Sequence, residues 1–295
     1  MTQQNFTELL KYSIASGFVK PSERGAYYTP INIMLIAGAE CGKTRLLTQF
    51  SCKKAYKTLD LSPKIISNSL IPKLEKQEIT FLIIPDLIQM LGHKKSTVDS
   101  TVGFLNAIIE EGVKDNDFYG QEFHLKTKVN VGLITAITTI EFYQNIYKWN
   151  SIGFLHRILP VSYDYTESTV NSIHAIISDG RLLDEINEIK MKNGQKASIK
   201  IPKHFSEDIM QIMYRVRDRF SQLRIKTYKG SKTGHLHELK LDIKGFRLHD
   251  RLRQLARAIC WLDSKGLRKE VNAGDINKLR ELSLFLNFPN STLNI

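Results

Sequence analysis

The chain has few cysteines, no long apolar run and no apolar leader. The three cysteines, at positions 41, 52 and 260, lack the spacing of a metal site, and we expect a reduced, intracellular protein of the cytoplasm. The first five residues are polar and contain no signal-peptide core. No apolar run approaches the length that spans a bilayer, so we expect no membrane partner.

Acidic residues are scarce relative to basic ones. The sequence has 30 Asp and Glu against 42 Lys and Arg, a formal net charge of +12 and a pI near 9.5. Such an excess usually indicates a polyanionic partner, most often nucleic acid, although a solvated basic surface without a partner is the alternative. The 295 residues, 42% of them apolar, suffice for one large globular domain or two smaller ones.

The stretch from Met34 to Thr44 predicts a phosphate-binding loop. An apolar run, residues 31–36, precedes a loop of small residues that ends in Gly-Lys-Thr, and a helix-like run follows. This is the P-loop arrangement, in which small residues let backbone N–H groups surround an anion. We expect ATP and Mg²⁺ here, with Lys43 at the β- and γ-phosphates and the Thr44 hydroxyl on the metal. The predicted nucleotide-binding residues are Gly38, Ala39, Glu40, Cys41, Gly42, Lys43, Thr44 and Arg45.

One position of this loop departs from the usual pattern, which opens with glycine. Here that position is Ala37. Alanine is tolerated if its φ is negative, because only a positive φ favours glycine. We therefore interpret the loop as a mild variant of the P-loop.

Asp86 follows a second apolar run, residues 79–84, and occupies the Walker B position. There an acid holds Mg²⁺, directly or through water; the alternative role is a helix cap. Many ATPases carry a second acid immediately afterwards, but here that residue is Leu87. Either the catalytic carboxylate comes from elsewhere or hydrolysis is slow. The candidates for that carboxylate are Glu40, Glu110 and Glu111.

A third apolar run, residues 131–137, ends in two threonines. In a P-loop sheet such a strand tip lies beside the γ-phosphate, so Thr138 is the first candidate for sensing it and Thr139 the second. Two ordinary strand-end threonines are the alternative. Further along, Arg157 precedes what we predict to be a fifth strand. Between these runs, the Asp/Asn/Gly-rich stretch 115–124 predicts a hairpin.

Helical patterns dominate the rest of the chain. Periodicity predicts helices over 6–17, 97–113, 167–178, 206–223, 247–264 and 273–286. A basic stretch, residues 224–245, is interpreted as a DNA-contacting loop, with a mobile solvated loop as the alternative. Its basic and aromatic residues are Arg224, Lys226, Tyr228, Lys229, Lys232, His235, His237, Lys240 and Lys244.

This order of motifs resembles an AAA+ ATPase, and most closely the minichromosome-maintenance helicases. The segment Gly153–Leu159 is similar to their Leu-Leu-Ser-Arg-Phe segment, which implies that Arg157 is an arginine finger for a neighbouring subunit. Such a finger increases the rate by about 10³ or more. The segment Arg247–Ala258 resembles the helix that bears the sensor-2 arginine, so Arg247 is the candidate and Arg251 the fallback. Residues 271–276 resemble the start of the last lid helix, and 115–128 correspond to a hairpin that often faces a DNA-filled pore.

The resemblance implies an α/β fold. We expect a P-loop AAA+ three-layer sandwich with a parallel central sheet over residues 1–165, followed by a smaller, mainly helical lid over 166–295. We expect no counterpart of the large N-terminal domain of the replicative minichromosome-maintenance proteins, since about thirty residues precede the first strand. A compact motor of a phage, plasmid or other mobile element is the expected type.

The implied function is ATP hydrolysis coupled to work on DNA, as a helicase, loader or remodeller. The resemblance implies a homo-oligomer, a hexameric ring or a filament, with a replication or mobile-element protein as a further partner. Two alternatives stay open. One is an ATP-gated, weakly hydrolysing scaffold that recruits partners to DNA, which Leu87 favours. The other is an ATPase that remodels proteins.

Overall fold

A computed structural model describes residues 3–22, 28–118, 121–178, 187–188, 196–228, 236–240 and 244–289. Its helices are α1 (Gln3–Ala15), α2 (Lys43–Thr48), α3 (Pro63–Ile65), α4 (Ile71–Glu75), α5 (Ile88–Leu91), α6 (Lys95–Asn106), α7 (Thr139–Ser151), α8 (Glu167–Ser178), α9 (Ser206–Ser221), α10 (Phe246–Asp263) and α11 (Ala273–Ser283). Its strands are β1 (Val19–Pro21), β2 (Ile33–Ala37), β3 (Phe50–Ser51), β4 (Ala55–Lys57), β5 (Phe81–Ile84), β6 (Val113–Phe118), β7 (Gln121–Val129), β8 (Gly132–Thr138), β9 (Leu159–Ser162), β10 (Asn187–Glu188), β11 (Ala197–Ile199), β12 (Arg224–Tyr228) and β13 (Leu236–Lys240). Short 3₁₀ turns span Ser16–Phe18, Leu155–Arg157 and Lys203–Phe205, and π-helical turns span Ile66–Leu70 and Ala107–Glu111.

A five-stranded parallel sheet lies at the centre of the fold. Its strand order is β4-β5-β8-β2-β9, with every neighbouring pair parallel. All residues of β2 and β5 are buried, because a parallel sheet flanked by helices is covered on both faces and needs continuous apolar strands. Helices α1, α2 and α7 pack against β8. The α/β class and the parallel central sheet are confirmed, and the flanking helices are compatible with three layers.

The parallel sheet has two chemically different edges. All strands end at one edge, the carboxyl edge, where Ala37 of β2 is in register with Thr138 of β8. They begin at the other, the amino edge, where the Leu159 amide donates to the carbonyl of Asn32. The five residues of β2 separate these edges by about 16 Å at the usual rise of a strand. Residues that precede β9 and residues that follow β2 therefore lie far apart.

The two ends of the chain share one core. Helix α1 packs on α10, and β1 pairs in parallel with β11. The Gln254 side chain of α10 donates to the carbonyls of Ser16 (2.8 Å) and Val19 (3.0 Å). At the C-terminal end, Asn287 forms a parallel bridge with Val161 of β9. The boundary between residues 165 and 166 stays a prediction, and the segments on its two sides are in close contact.

Most predicted elements are present, and two stretches differ from expectation. The hairpin predicted within 115–128 is β6–β7, and the predicted helices and central strands lie within a few residues of their expected bounds. The edge strand β4 was missed, because a three-residue, half-polar strand carries almost no pattern. The basic stretch predicted as a loop contains the antiparallel pair β12–β13. Lys229, Lys232 and His235 lie outside the described residues. Among the helices that are described, none combines the length and apolarity needed to cross a bilayer.

Candidate functional site

The predicted phosphate loop joins β2 to α2 at the carboxyl edge. Ala37 ends the strand in extended conformation, so the negative φ required for alanine is met. Glu40 and Gly42 have positive φ values of 61° and 67°, and these two left-handed residues bend the loop back. Residues 39 and 40 form a tight turn, and the chain enters α2 at Lys43. Backbone N–H groups of a turn that leads into a helix can surround an oxyanion.

Lys43 places a buried ammonium group inside this loop. Its Nζ donates to the carbonyls of Ala37 (3.1 Å) and Gly38 (2.5 Å). Burial lowers the pKa of Lys43, while the nearby Cys41 and Asp86 raise it. No carboxylate of the described residues forms an ion pair with the Lys43 ammonium. A buried cation that bonds only carbonyls is incompletely neutralised, and a bound phosphate would complete its neutralisation. The loop therefore fits a nucleotide phosphate.

Thr138 ends β8, the strand beside β2, and Asp86 lies two residues after β5, the next strand along the sheet. The Asp86 Oδ1 accepts from the amide of Ile88 (3.0 Å), and its other carboxylate oxygen has no partner among the described residues. The Thr138 Oγ1 accepts from the amide of Glu141 (3.2 Å) and so caps α7, which leaves its hydroxyl proton for donation. Thr138 is thus the N-cap of α7, whereas the N-cap of α5 is Leu87 and not Asp86, and both side chains retain a group for a metal or a phosphate. Thr139 is the first residue of α7.

Two tyrosines that the sequence analysis missed brace the phosphate loop. The buried hydroxyl of Tyr163 donates to the Cys41 carbonyl (2.9 Å). Burial raises the pKa of Tyr163, so it remains a donor at neutral pH. A Cβ at Gly42 would lie 3.3 Å from the hydroxyl of Tyr165. Both tyrosines lie within three residues of the end of β9, the strand beside β2. Their proximity to the loop follows from this strand order, which the sequence pattern does not reveal.

The remaining predicted loop residues face solvent. Thr44 and Arg45 are exposed on α2, as are Ala39 and Glu40 in the loop. No group of three or more His, Cys, Asp or Glu side chains that could hold a metal occurs in the described parts of the chain. The site therefore fits Mg²⁺ only if phosphate oxygens and water complete its coordination, which is the usual arrangement in phosphoryl-transfer sites. Thr44 and Asp86 are the protein groups for it.

Arg157 lies at the opposite, amino edge of the sheet. It ends the 3₁₀ turn before β9, and its backbone carbonyl accepts from Asn32 Nδ2 (2.9 Å) at the start of β2. Its side chain donates to the Gly153 carbonyl (2.8 Å) and to Glu111 Oε1 (3.2 Å). Gly153 has φ 72°, and a Cβ there would lie 2.6 Å from the guanidinium. Because the edges are about 16 Å apart, Arg157 does not reach the phosphate loop of its own chain.

Arg247 and Arg251 lie at this same amino edge. Arg247 Nε donates to Glu110 Oε1 (2.9 Å), and an Arg251 NH₂ group donates to Glu110 Oε2 (2.6 Å). Glu110 belongs to the π-helical turn Ala107–Glu111, which the Asn32 side chain ties to the start of β2 through the Ile109 carbonyl. The structure thus brings both sensor-2 candidates next to Arg157.

Because of this placement, two of the three candidates cannot serve as the catalytic carboxylate for a nucleotide bound to the same chain. Glu110 and Glu111 are bonded to arginines at the amino edge, on the far side of the sheet from Lys43. Of the three candidates, Glu40 is the one at the carboxyl edge, and it is exposed. Leu87, at the position where the predicted Walker B pattern would have a second acid, is fully buried.

A cavity of about 390 Å³ opens between the Arg157 segment and the start of α10. Its lining includes the apolar residues Leu155, Leu159 and Leu248 and the basic residues Lys244 and Arg247. The amino edge therefore presents cationic groups around a concave apolar surface.

No protein-family model matches this chain, and no curated protein is similar to it in sequence.

Proposed function

We propose that this chain is an AAA+-type P-loop ATPase, similar to minichromosome-maintenance helicases, that works on DNA as a homo-oligomer. One observation carries the proposal. Three neighbouring parallel strands end in the phosphate loop, Asp86 and Thr138 at one edge, while Arg157 lies at the other edge. Complementary halves of a hydrolytic site on opposite edges favour subunits that associate head to tail, as in a ring or filament.

Each residue of the carboxyl edge has a role in this proposal. The loop amides and Lys43 bind the β- and γ-phosphates, and Thr44 and Asp86 hold Mg²⁺, which neutralises charge that develops on the phosphates. Thr138 uses its hydroxyl proton to donate a hydrogen bond to the γ-phosphate. Tyr163 holds the loop through the Cys41 carbonyl. The chain supplies positioning and charge, which account for most of the catalysis of phosphoryl transfer.

The arginines act on a neighbouring subunit's nucleotide. Arg157 stabilises the transition-state charge in trans, and Arg247 assists from α10 beside it. A monomer then binds ATP but hydrolyses it very slowly.

The net charge of +12 supports DNA as the partner. The hairpins β6–β7 and β12–β13 are the candidate contact elements, and the second lies in the basic stretch 224–245. Helicase, loader and remodeller remain open within this proposal.

The test is steady-state ATP hydrolysis against protein concentration, with and without single- and double-stranded DNA. A steep rise in specific activity with concentration, enhanced by DNA, is the expected result, and the preferred DNA form distinguishes a helicase from a loader. An ATPase that ignores DNA at moderate salt would instead indicate remodelling of proteins.

A second candidate function is an ATP-gated scaffold that recruits partners to DNA with little hydrolysis. The buried Leu87 favours it, as does the distance of Glu110 and Glu111 from the phosphate loop, because neither glutamate can orient water at a nucleotide on the same chain. Negligible turnover in a protein that binds ATP tightly and assembles on DNA would select this function.

A further inference from the structure

We propose that Glu110 and Glu111 form a carboxylate latch that occupies the arginines of the unassembled chain. On assembly, phosphates of a neighbouring copy's nucleotide displace Glu111 from Arg157. The inference rests on the proposed function and adds a regulatory step to it: an isolated chain holds its own arginine finger in an inactive position.

The latch consists of two adjacent glutamates and three arginines. Glu111 accepts from Arg157, and Glu110 accepts from both Arg247 and Arg251. Both glutamates lie in the π-helical turn at the end of α6. Carboxylate and phosphate oxygens use the same guanidinium donors in the same planar geometry. A carboxylate on Arg157 therefore competes directly with a phosphate.

The two halves of the latch differ in how easily they open. Glu110 and Arg251 have side chains only 11% and 4% exposed, so their pair is protected from water. The Glu111 side chain is 64% exposed, and its bond to Arg157 is longer, at 3.2 Å. Exposed ion pairs are weak because water competes for both partners. Glu111 is thus the half that opens.

Arg157 itself is incompletely satisfied in the latched position. Its side chain is 12% exposed, and its Nε is buried without a hydrogen-bond partner among the described residues. A buried donor without an acceptor loses its hydration without compensation. An incoming phosphate that reaches this group supplies the missing acceptor, whereas the single bond from Glu111 does not.

Charge complementarity indicates a second copy of this chain as the source of that phosphate. The carboxyl edge of the sheet carries Glu40, Asp86 and Asp164 beside the phosphate loop. The amino edge carries Arg247 and Arg251, which line the concave surface, and Arg157 beside them. Head-to-tail contact of the two edges brings acidic groups and nucleotide phosphates to a cationic surface, at the cost of releasing Glu111.

The experiment compares the wild-type chain with the Glu111→Gln variant and uses Glu270→Gln as the matched control. Glu270 forms an exposed ion pair of similar length with Lys200 (3.3 Å). ATP hydrolysis is measured over a range of protein concentrations, and the concentration that gives half-maximal specific activity is compared. An exposed ion pair corresponds to about a two- to fivefold change in an equilibrium constant, so we expect that concentration to fall about two- to fivefold for Glu111→Gln and to stay unchanged for the control.

A lower half-maximal concentration for Glu111→Gln alone supports the latch. An unchanged or higher value, in a protein whose activity still rises with concentration, overturns the latch and leaves the proposed function intact. Wild-type activity that does not depend on concentration overturns the proposed function, and the latch with it.

Discussion

Mixing two inactive variants tests whether Arg157 acts across a subunit interface. The Lys43→Ala chain lacks the ammonium of the phosphate loop but retains its arginine. The Arg157→Ala chain retains the loop but lacks the arginine. If one site combines the loop of one chain with Arg157 of the next, each variant alone is inactive and the mixture recovers activity.

The activity expected of the mixture follows from the position of the two residues in the sheet. The loop and Arg157 lie at opposite edges of the sheet, about 16 Å apart along β2. Neither variant chain can therefore form a complete site by itself. Loss of an arginine finger lowers the rate by about 10³-fold or more. In a random equimolar mixture, half of the interfaces contain the intact loop of an Arg157→Ala chain. Half of those interfaces also contain the intact Arg157 of a Lys43→Ala chain. We therefore expect roughly a quarter of wild-type activity, because each heterologous interface pairs one loop with one arginine.

The assay is ATP turnover of each variant and of the mixture at a concentration where the wild-type chain is saturated. Arg157 bonds a carbonyl and an exposed carboxylate, so its removal should cost about 1–2 kcal/mol of stability and leave the fold intact. Arg280→Ala is the control, since Arg280 is an exposed arginine that pairs with Asp208. A mixture as inactive as its components, or an Arg157→Ala chain with wild-type turnover, would refute the trans arrangement.

Three further predictions concern single side chains. Tyr163→Phe removes the buried hydrogen bond to the Cys41 carbonyl. Because one neutral hydrogen bond contributes about 1 kcal/mol, calorimetric titration should show an ATP affinity about fivefold weaker. An unchanged affinity would mean that the Tyr163 hydroxyl does not hold the loop in its binding conformation. Glu110→Ala leaves Arg251 buried without its carboxylate, so urea unfolding should show a loss of about 3–5 kcal/mol, and a loss below 1 kcal/mol would contradict the buried pair. Gly132→Ala places a Cβ 2.2 Å from the Phe81 ring, so the free energy of unfolding should fall by about 1–3 kcal/mol, with Gly103→Ala, where a Cβ meets nothing, as the control. Equal unfolding free energies for the two glycine variants would refute the close contact.

The sequence predicted those parts of the candidate site that lie close together in the chain. Strand, loop and helix around Lys43 span less than twenty residues, so their pattern of apolar, small and polar residues was visible directly. The same holds for Asp86 and Thr138 at the ends of apolar runs. The tyrosines after β9 were missed, because they reach the loop only through the pairing of β9 with β2.

The partners of the arginines could not be predicted from any local pattern. Glu110 and Arg247 are 137 positions apart, and Glu111 and Arg157 are 46 apart. The sequence analysis named Glu110 and Glu111 as carboxylates for catalysis, whereas the fold places them at the edge that faces away from the phosphate loop.

The sequence by itself determined the secondary structure of the central strands and of the predicted phosphate loop, since continuous apolar runs and turn chemistry are local properties of the chain. Only the tertiary structure decided which edge of the sheet each functional side chain occupies. Strand order and direction depend on contacts between distant segments, and that topology separates Lys43 from Arg157 while joining Glu110 to Arg247 and Arg251.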